Sequence, residues 1–577
     1  MKKPIDGGIQ GRITTVLLFF VMALVLLLGR IFILQIVHYK DYYALAAKQH
    51  QSIINSSPDR GTIFAQDRKG EEIPLALLHL QKNIAISPKA VLDPEKVASL
   101  LAETLGIPDE EIKIKLEKKD DPYEIVAKKI TDEQAVTIQQ ADLSGVLLEE
   151  EKTRAYPYGM MASRLLGFVS TREQKEAGQY GLERSYDKDL SGSTGILAGF
   201  RDSSGFLIAL GRRIISPSKK GSNLVLTIDY NIQQKSEEVL QKTAEKWQAP
   251  QGILLVMDPK TGKVLADASF PNFDPNDYGK EKDFSVFLNP AVELNYELGS
   301  VVKPITMAAG LEEGKVKPDT VYDDKGEVKI KGYTIKNFDL LAHGFQTMTQ
   351  VLEKSLNTGV VYVSKLLGQE KQLEYLKRFG FGQKTNIDLP GEVTGDIAHL
   401  NAGREIDFAT ASFGQGIAIT PLQLASAIGA IANGGKLMKP YVVEKVIDGS
   451  GNEVQNNPQE VRTVISQKTS ETLTKMLVSA VRNGFDNHAG VKGYFIAGKT
   501  GTAQIPNKDG KGYSDNVIHT FVGFAPAFNP RFMVLMQLNE PKGNRFAANT
   551  LTPAFHDLAE YILNYYEIPP DETSASK

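Results

Sequence analysis

No cysteine occurs in the 577 residues, which excludes disulfides, thiolate metal sites and cysteine nucleophiles. The absence suits an exported chain, which then carries no thiol to oxidise. Histidine is scarce too: the eight are scattered and never form an H-E-x-x-H pair, which argues against a zinc hydrolase. Neither charge is in excess. A formal net charge of −3 leaves no electrostatic footprint for nucleic acid, and the many lysines read as solvated surface. Long apolar runs are missing except at the N-terminus, so any membrane attachment is through a single span. At this length two or more domains are expected.

Residues 1–12 are short and basic, with Lys2, Lys3 and Arg12 against Asp6. Ile13 to Gly29 follows without a charge, about 17 residues or roughly 26 Å as helix. Arg30 interrupts but can snorkel, so one tilted transmembrane anchor over 13–37 is expected. Ala44-Leu45-Ala46 mimics a signal-peptide cleavage site. The apolar region is too long for a signal peptide, however, and Lys40 and Asp41 separate it from that site. Positive charge on the short flank places 1–12 in the cytoplasm and the remainder outside.

Residues 38–222 read as a non-catalytic module. Tyr39 to Gln51 has the pattern of an amphipathic helix. Arg60 to Phe64 and Asp67 to Gly70 suggest a strand and a turn, and helices near 94–105 and 132–141 alternate with short strands such as Ile84-Ala85-Ile86. A Gly/Ser-rich patch runs from Ser191 to Gly205. Glu149, Glu150 and Glu151 are adjacent, hence splayed, and form a solvated face rather than an acid/base pair.

The texture changes at 223, opening a second domain expected to reach 568, with a polar, disordered tail over 569–577. Leu224 to Ile228 is a strand, Asp229 to Gln248 has helical period, and Gly252 to Met257 and Lys263 to Ser269 flank the turn Asp258 to Gly262. Helical stretches dominate from Ser300 to about 490. One is marked by Thr420, Pro421 and Gln423 at its start and Asn433-Gly434-Gly435 at its end. Strands near 493–504, 518–525 and 531–539 and a final helix capped by Thr552-Pro553 and running to about Tyr566 close the domain. An α+β fold follows: a five-stranded antiparallel sheet with helices on both faces.

Three short motifs carry chemistry. Ser300 and Lys303 form S-x-x-K at the head of an apolar run; a helix there would stack hydroxyl and amine on one face. A lysine whose pKa is lowered by burial or a nearby cation can deprotonate a serine. Ser355-Leu356-Asn357, on a helical segment starting near Thr349, is S-x-N. Lys499-Thr500-Gly501-Thr502 is K-T-G at the first late strand. Each pattern recurs: Ser185/Lys188, Ser216/Lys219 and Ser574/Lys577 repeat the first, Lys260-Thr261-Gly262 the third, and Ser514-Asp515-Asn516, in a polar loop between strands, the related S-D-N. Only Ser300, Ser355 and Lys499 satisfy chain order and element context together.

In that ordered set the chain resembles class B penicillin-binding proteins over nearly its whole length. Supporting pieces include the R-G-x-I and D-R-x-G segments at 60–70, Arg154 to Gly159, Gly181-Leu182-Glu183, Gly414-Gln415-Gly416 and Phe521-Val522-Gly523-Phe524. Leu298 stands where proline is commoner, and Val301-Val302 replaces the frequent Thr-Phe. The resemblance implies a penicillin-binding/β-lactamase-like transpeptidase domain on an elongated mixed α/β pedestal behind a single anchor. It implies a serine D,D-transpeptidase that cross-links peptidoglycan stem peptides, lipid-linked or in nascent glycan, and is acylated by β-lactams. Ser300 would be nucleophile, Lys303 its base, Ser355 a proton relay and Lys499 a second cation. Asn357, Thr500, Gly501 and Thr502 would shape the substrate site. No metal or organic cofactor is called for. A SEDS-type polytopic glycan polymerase is the implied partner, and overall length with the absence of an obvious insertion favours division over elongation. The rival readings are an elongation-type transpeptidase, a membrane-bound β-lactamase or carboxypeptidase, and an inert penicillin-sensing scaffold.

Overall fold

The computed structural model describes residues 7–40, 42, 51–56, 58–119, 121–172, 175–201, 207–485, 487–507 and 512–571. The chain divides into two compact units, Met1–Asp59 with Gly192–Lys220, and Arg60–Ser191 with Gly221–Lys577. In the first, Gly7–Phe32 is α-helical and Ile33–Val37 continues it as a π-helical turn. Gly11–Val37 is the one helix among the described residues long and apolar enough to cross a membrane. The same unit holds a three-stranded antiparallel sheet in which Gly195–Arg201 lies between Gln51–Ser56 and Leu207–Ser216. This corrects two expectations. The Gly/Ser-rich patch contributes strands, and Gln51 begins a strand instead of ending a helix. Most of Tyr39 to Gln51, including Tyr43 and the cleavage-like Ala44 to Ala46, lies outside the described residues, as does the Ser574/Lys577 pair.

The second unit is built on two sheets. One has seven strands and runs across the boundary expected near 222, because Asn223–Asp229 pairs parallel with Ile63–Gln66 and antiparallel with Val443–Ile447. Helices Pro94–Leu105 and Asp132–Gln140 pack beside it, the latter opened by a Thr131/Gln134 capping box. At the heart of this region Glu183, fully buried, joins Arg60 and Arg154.

The other sheet is antiparallel, in the order Val264–Phe270, Gln251–Met257, Phe532–Asn539, Tyr513–Ala525, Ala497–Pro506. Its strands are apolar on both faces, and the period of two divides them cleanly. Leu254, Val256, Val534 and Met536 face helices Tyr230–Lys246 and Thr552–Tyr565. Ile253, Leu255, Met533 and Leu535 face a helical layer that includes Lys303–Glu312 and Pro421–Ala432. Thr420 caps the latter helix with a reciprocal Gln423 bond.

Four local expectations need correction. Thr552 is not the cap of the last helix; Leu551 holds that position, and the Thr552 hydroxyl bonds back to the Ala548 carbonyl. The strand begun at Tyr513 takes in Ser514, Asp515 and Asn516, which read as loop because they are polar. The helical middle contains three small antiparallel pairs, Val321–Asp324 with Gly344–Thr347, Glu327–Ile330 with Tyr333–Lys336 and Lys436–Met438 with Glu460–Thr463, besides Val443–Ile447 and Glu453–Gln455 of the seven-stranded sheet. Ser355 is not on a helix. It lies in the break between Met348–Glu353 and Asn357–Leu367 with φ +53°.

Candidate active site

Ser300 sits in a turn that its neighbours force to be tight. Gly299 has φ +68°, a left-handed conformation open to glycine at no steric cost. Gly299–Val302 form a 3-10 turn that runs directly into the helix Lys303–Glu312. Residues i and i+3 eclipse in such a turn, so Ser300 and Lys303 stand on one side of it. Pro304 falls in the first helical turn, where an amide would lack a partner. Leu298, Val301 and Val302 are fully buried in the core, and none lines the cleft in front of Ser300. Their departure from commoner residues therefore changes the packing behind the nucleophile.

Lys303 is completely buried. Its Nζ donates to the Ser355 carbonyl oxygen at 2.5 Å and to Ser355 Oγ at 3.2 Å. Burial first, and the charge of Lys499 second, hold its pKa well below the ordinary lysine range. The left-handed backbone of Ser355, a conformation that costs of order 1–3 kcal/mol outside glycine, accompanies this double acceptance. Strain at that serine is thus coupled to a contact with a buried amine.

Ala497–Pro506, carrying K-T-G, is the outer strand of its sheet. Lys499 is 1 % exposed and its Nζ donates to Thr500 Oγ1 at 3.4 Å. A Cβ at Gly501 would lie 2.5 Å from the Leu298 carbonyl oxygen and 3.1 Å from Val301 Cγ1, so only glycine lets this strand press against the Ser300 turn. Thr502 Oγ1 accepts the Ala547 amide at 3.2 Å, and Asn357 Nδ2 donates to the Lys336 carbonyl at 2.9 Å.

These elements enclose a cleft of about 1050 Å³ lined by Ser300, Ser355, Asn357, Thr500 and Thr502. Lys303 and Lys499 lie behind that lining, in contact with Ser355 and Thr500. The structure brings all eight candidate residues to one place. The repeated motifs fall elsewhere: Ser185 ends a short helix, Ser216 ends a strand, and Lys260 to Gly262 form the turn after Gln251–Met257. Asp515 and Asn516 do line the cleft, on its rim. Among the described residues no three histidine or carboxylate groups gather as metal ligands would.

Sequence reasoning did not find the aromatic rim. Phe338 meets Phe485 and Phe546 edge to face, both at 5.5 Å between ring centroids, and all three line the cleft. They come from three separate loops with no common spacing, so no sequence signal joins them.

A serine beside a buried, low-pKa lysine, a second serine on that lysine, and a K-T-G outer strand are the parts of a serine acyl-transfer enzyme of the penicillin-recognising fold. The penicillin binding protein transpeptidase domain matches residues 252–560, and the penicillin-binding protein dimerisation domain matches 55–226. The chain is 35 % identical over 577 residues to Stage V sporulation protein D of Bacillus subtilis (strain 168), covering 99 % of this chain and 88 % of that one. It is 31 % identical over 560 residues to the peptidoglycan D,D-transpeptidase FtsI of Escherichia coli (strain K12), covering 95 % and 91 %. The crystal structure of penicillin binding protein 3 from Mycobacterium tuberculosis complexed with aztreonam superposes with a TM-score of 0.70 at 27 % identity, over 90 % of this chain and 98 % of that one. The chain belongs to the class B penicillin-binding proteins, the peptidoglycan D,D-transpeptidases.

Proposed function

We propose that the chain cross-links stem peptides through an acyl-enzyme on Ser300. Lys303, whose neutral form is favoured by burial and by Lys499, takes the Ser300 proton as Oγ attacks the carbonyl between two terminal D-alanines. The C–N bond breaks, the proton passes through Ser355 to the departing D-alanine, and the amine of a second stem peptide then displaces Ser300. The backbone N–H groups of Ser300 and Thr502 serve the tetrahedral oxyanion, each donor worth about 3–4 kcal/mol by analogy with other acyl-transfer sites. Lys499, Thr500 and Thr502 hold the substrate's terminal carboxylate, and Asn357 its backbone. The edge of Ala497–Pro506 pairs with the extended stem peptide. The observation that carries this reading is the fully buried Lys303 in contact with Ser355. A fluorescent penicillin should label the purified chain with a bond that persists for the length of a gel, and a stem-peptide donor should exchange its terminal D-alanine for a labelled D-amino acid. Label released within seconds would favour a β-lactamase instead. Stable label without any exchange of D-alanine would favour the penicillin-sensing scaffold.

The N-terminal helix then serves as an anchor with residues 1–12 in the cytoplasm and the catalytic half outside, supported by Lys2, Lys3 and Arg12 on the short flank. The helix and residues 38–70 contact a SEDS-type polytopic glycan polymerase. The family's D,D-transpeptidases supply cross-links but no glycan strand, and no acidic active-site pair is legible before residue 222. The role is in division, the reading favoured by chain length. Depletion should therefore give filaments, with round cells the contrary result. A chain lacking residues 1–70 should neither restore division nor co-purify with the polymerase; co-purification of that shortened chain would remove the contact from the proposal.

A further inference from the structure

The helix that begins at Asn357 has no local cap. Its N-cap position is Leu356, which offers no side-chain acceptor, and Ser355 before it is committed to Lys303. Helix starts leave N–H groups that need partners. Here the partner comes from another segment: Asn337 Oδ1 accepts the Thr358 amide at 3.3 Å. Asn337 is itself fixed by Asp324, a residue only 1 % exposed. Asp324 Oδ1 accepts from Thr358 Oγ1 at 2.7 Å and from the Gly326 amide at 3.0 Å. Its Oδ2 accepts from Asn337 Nδ2 at 2.8 Å and from the His343 amide at 3.1 Å.

A carboxyl group this deep persists only when its oxygens are hydrogen-bonded or paired with a cation. No lysine or arginine salt bridge reaches Asp324 among the described residues, so four neutral donors do the whole task. Two of the four come from Thr358 and Asn337. The flanking residues carry the consequence into the cleft. Lys336, before Asn337, supplies the carbonyl that holds Asn357 Nδ2. Phe338, after it, is the centre of the aromatic rim. One buried carboxyl group thereby sets the place of a helix start and of one cleft wall at once.

We infer that Asp324 is a positioning residue for Asn357, acting through Thr358 and Asn337. This deepens the proposed function and rests on its assignment of Asn357. A merely structural network would change stability alike in every background; a positioning role must vanish when the group it positions is gone.

The test uses the full chain in detergent and the second-order rate of acylation by a fluorescent penicillin, taken per folded molecule. Thr358→Val keeps the shape and removes the hydroxyl. It should slow acylation on the order of 10- to 100-fold, as small displacements of catalytic groups do, while Thr358→Ser should stay within roughly threefold of the parent by keeping the hydrogen bond. Asn337→Ala, which strips Asp324 from the other side, should match Thr358→Val. In an Asn357→Ala background either change should add less than about twofold. Parent-like acylation by Thr358→Val and Asn337→Ala, or losses that multiply with Asn357→Ala, would overturn the positioning role. Parent-like acylation by Asn357→Ala alone would instead overturn the assignment of Asn357.

Discussion

Ser300→Ala is expected to take up no covalent penicillin, and Lys303→Met to acylate about 10³-fold more slowly, in the range that loss of a general base produces. The two effects should not multiply. A serine without its base and a base without its serine are the same failed step, so the double variant should be no worse than Ser300→Ala. Stability should move the other way. Lys303 is a fully buried amine whose charged form is disfavoured by burial and by Lys499, and methionine fills nearly the same volume with no group to desolvate. The melting temperature of Lys303→Met should therefore equal or exceed that of the parent. The pH profile supplies an independent check. Because the Lys303 pKa is depressed, its neutral form is present above that lowered value, and acylation should rise with pH through it and then level. Replacing Lys499 by methionine removes a neighbouring cation, which lets the Lys303 ammonium persist to higher pH, so the acid limb should shift upward. A limb that moves downward, or acylation retained by Lys303→Met, would remove Lys303 from the role of base.

What was legible beforehand follows the range over which each signal acts. The five-stranded sheet could be read because Gly252 to Met257 and the strand through Phe521 to Phe524 are short apolar runs between turns. The helix at Pro421 could be read because its cap is written in four adjacent letters. Ser300, Ser355 and Lys499 could be separated from their repeats because chain order is itself a sequence property. The remainder depends on contacts distant in sequence. Gln51–Ser56 becomes a strand by pairing with residues 195–200, about 145 positions away, and its polar letters give no strand period. Ser355 takes a left-handed backbone in the company of Lys303, 52 positions earlier. Asp515 and Asn516 belong to a strand held by pairs on either side of them, Pro506 with Tyr513 and Gln504 with Val517, so distant pairing overrides polar composition. Asp324 had no motif to announce it. Its meaning lies in four donors gathered from residues 326 to 358.

Glu183→Ala is expected to destabilise the chain by about 3–5 kcal/mol, the range for breaking a buried ion pair by removing one partner. The carboxylate is fully buried between two guanidinium groups whose side chains are 4 % exposed. Arg60 Nε and Arg154 Nε approach opposite oxygens at 2.8 and 2.6 Å, and Tyr156 adds its hydroxyl at 3.3 Å. Without the carboxylate the two arginines are like charges in a poorly solvated site. They are not equally exposed to the loss. Arg60 keeps a second carboxylate, Asp187, at 2.8 Å on the more accessible side. Among the described residues Arg154 keeps only the Gly61 carbonyl at 2.7 Å, and its Nη2 has no partner there. The suppressor is therefore predictable: Arg154→Met should recover most of the stability lost in Glu183→Ala, and Arg60→Met less. Urea midpoints of the four chains decide the order. None of these side chains lines the catalytic cleft, so acylation per folded molecule should stay within about twofold of the parent throughout, as expected of sites that share no partner. Equal rescue by both arginine replacements would show that repulsion between the two, rather than the isolation of Arg154, governs the cost.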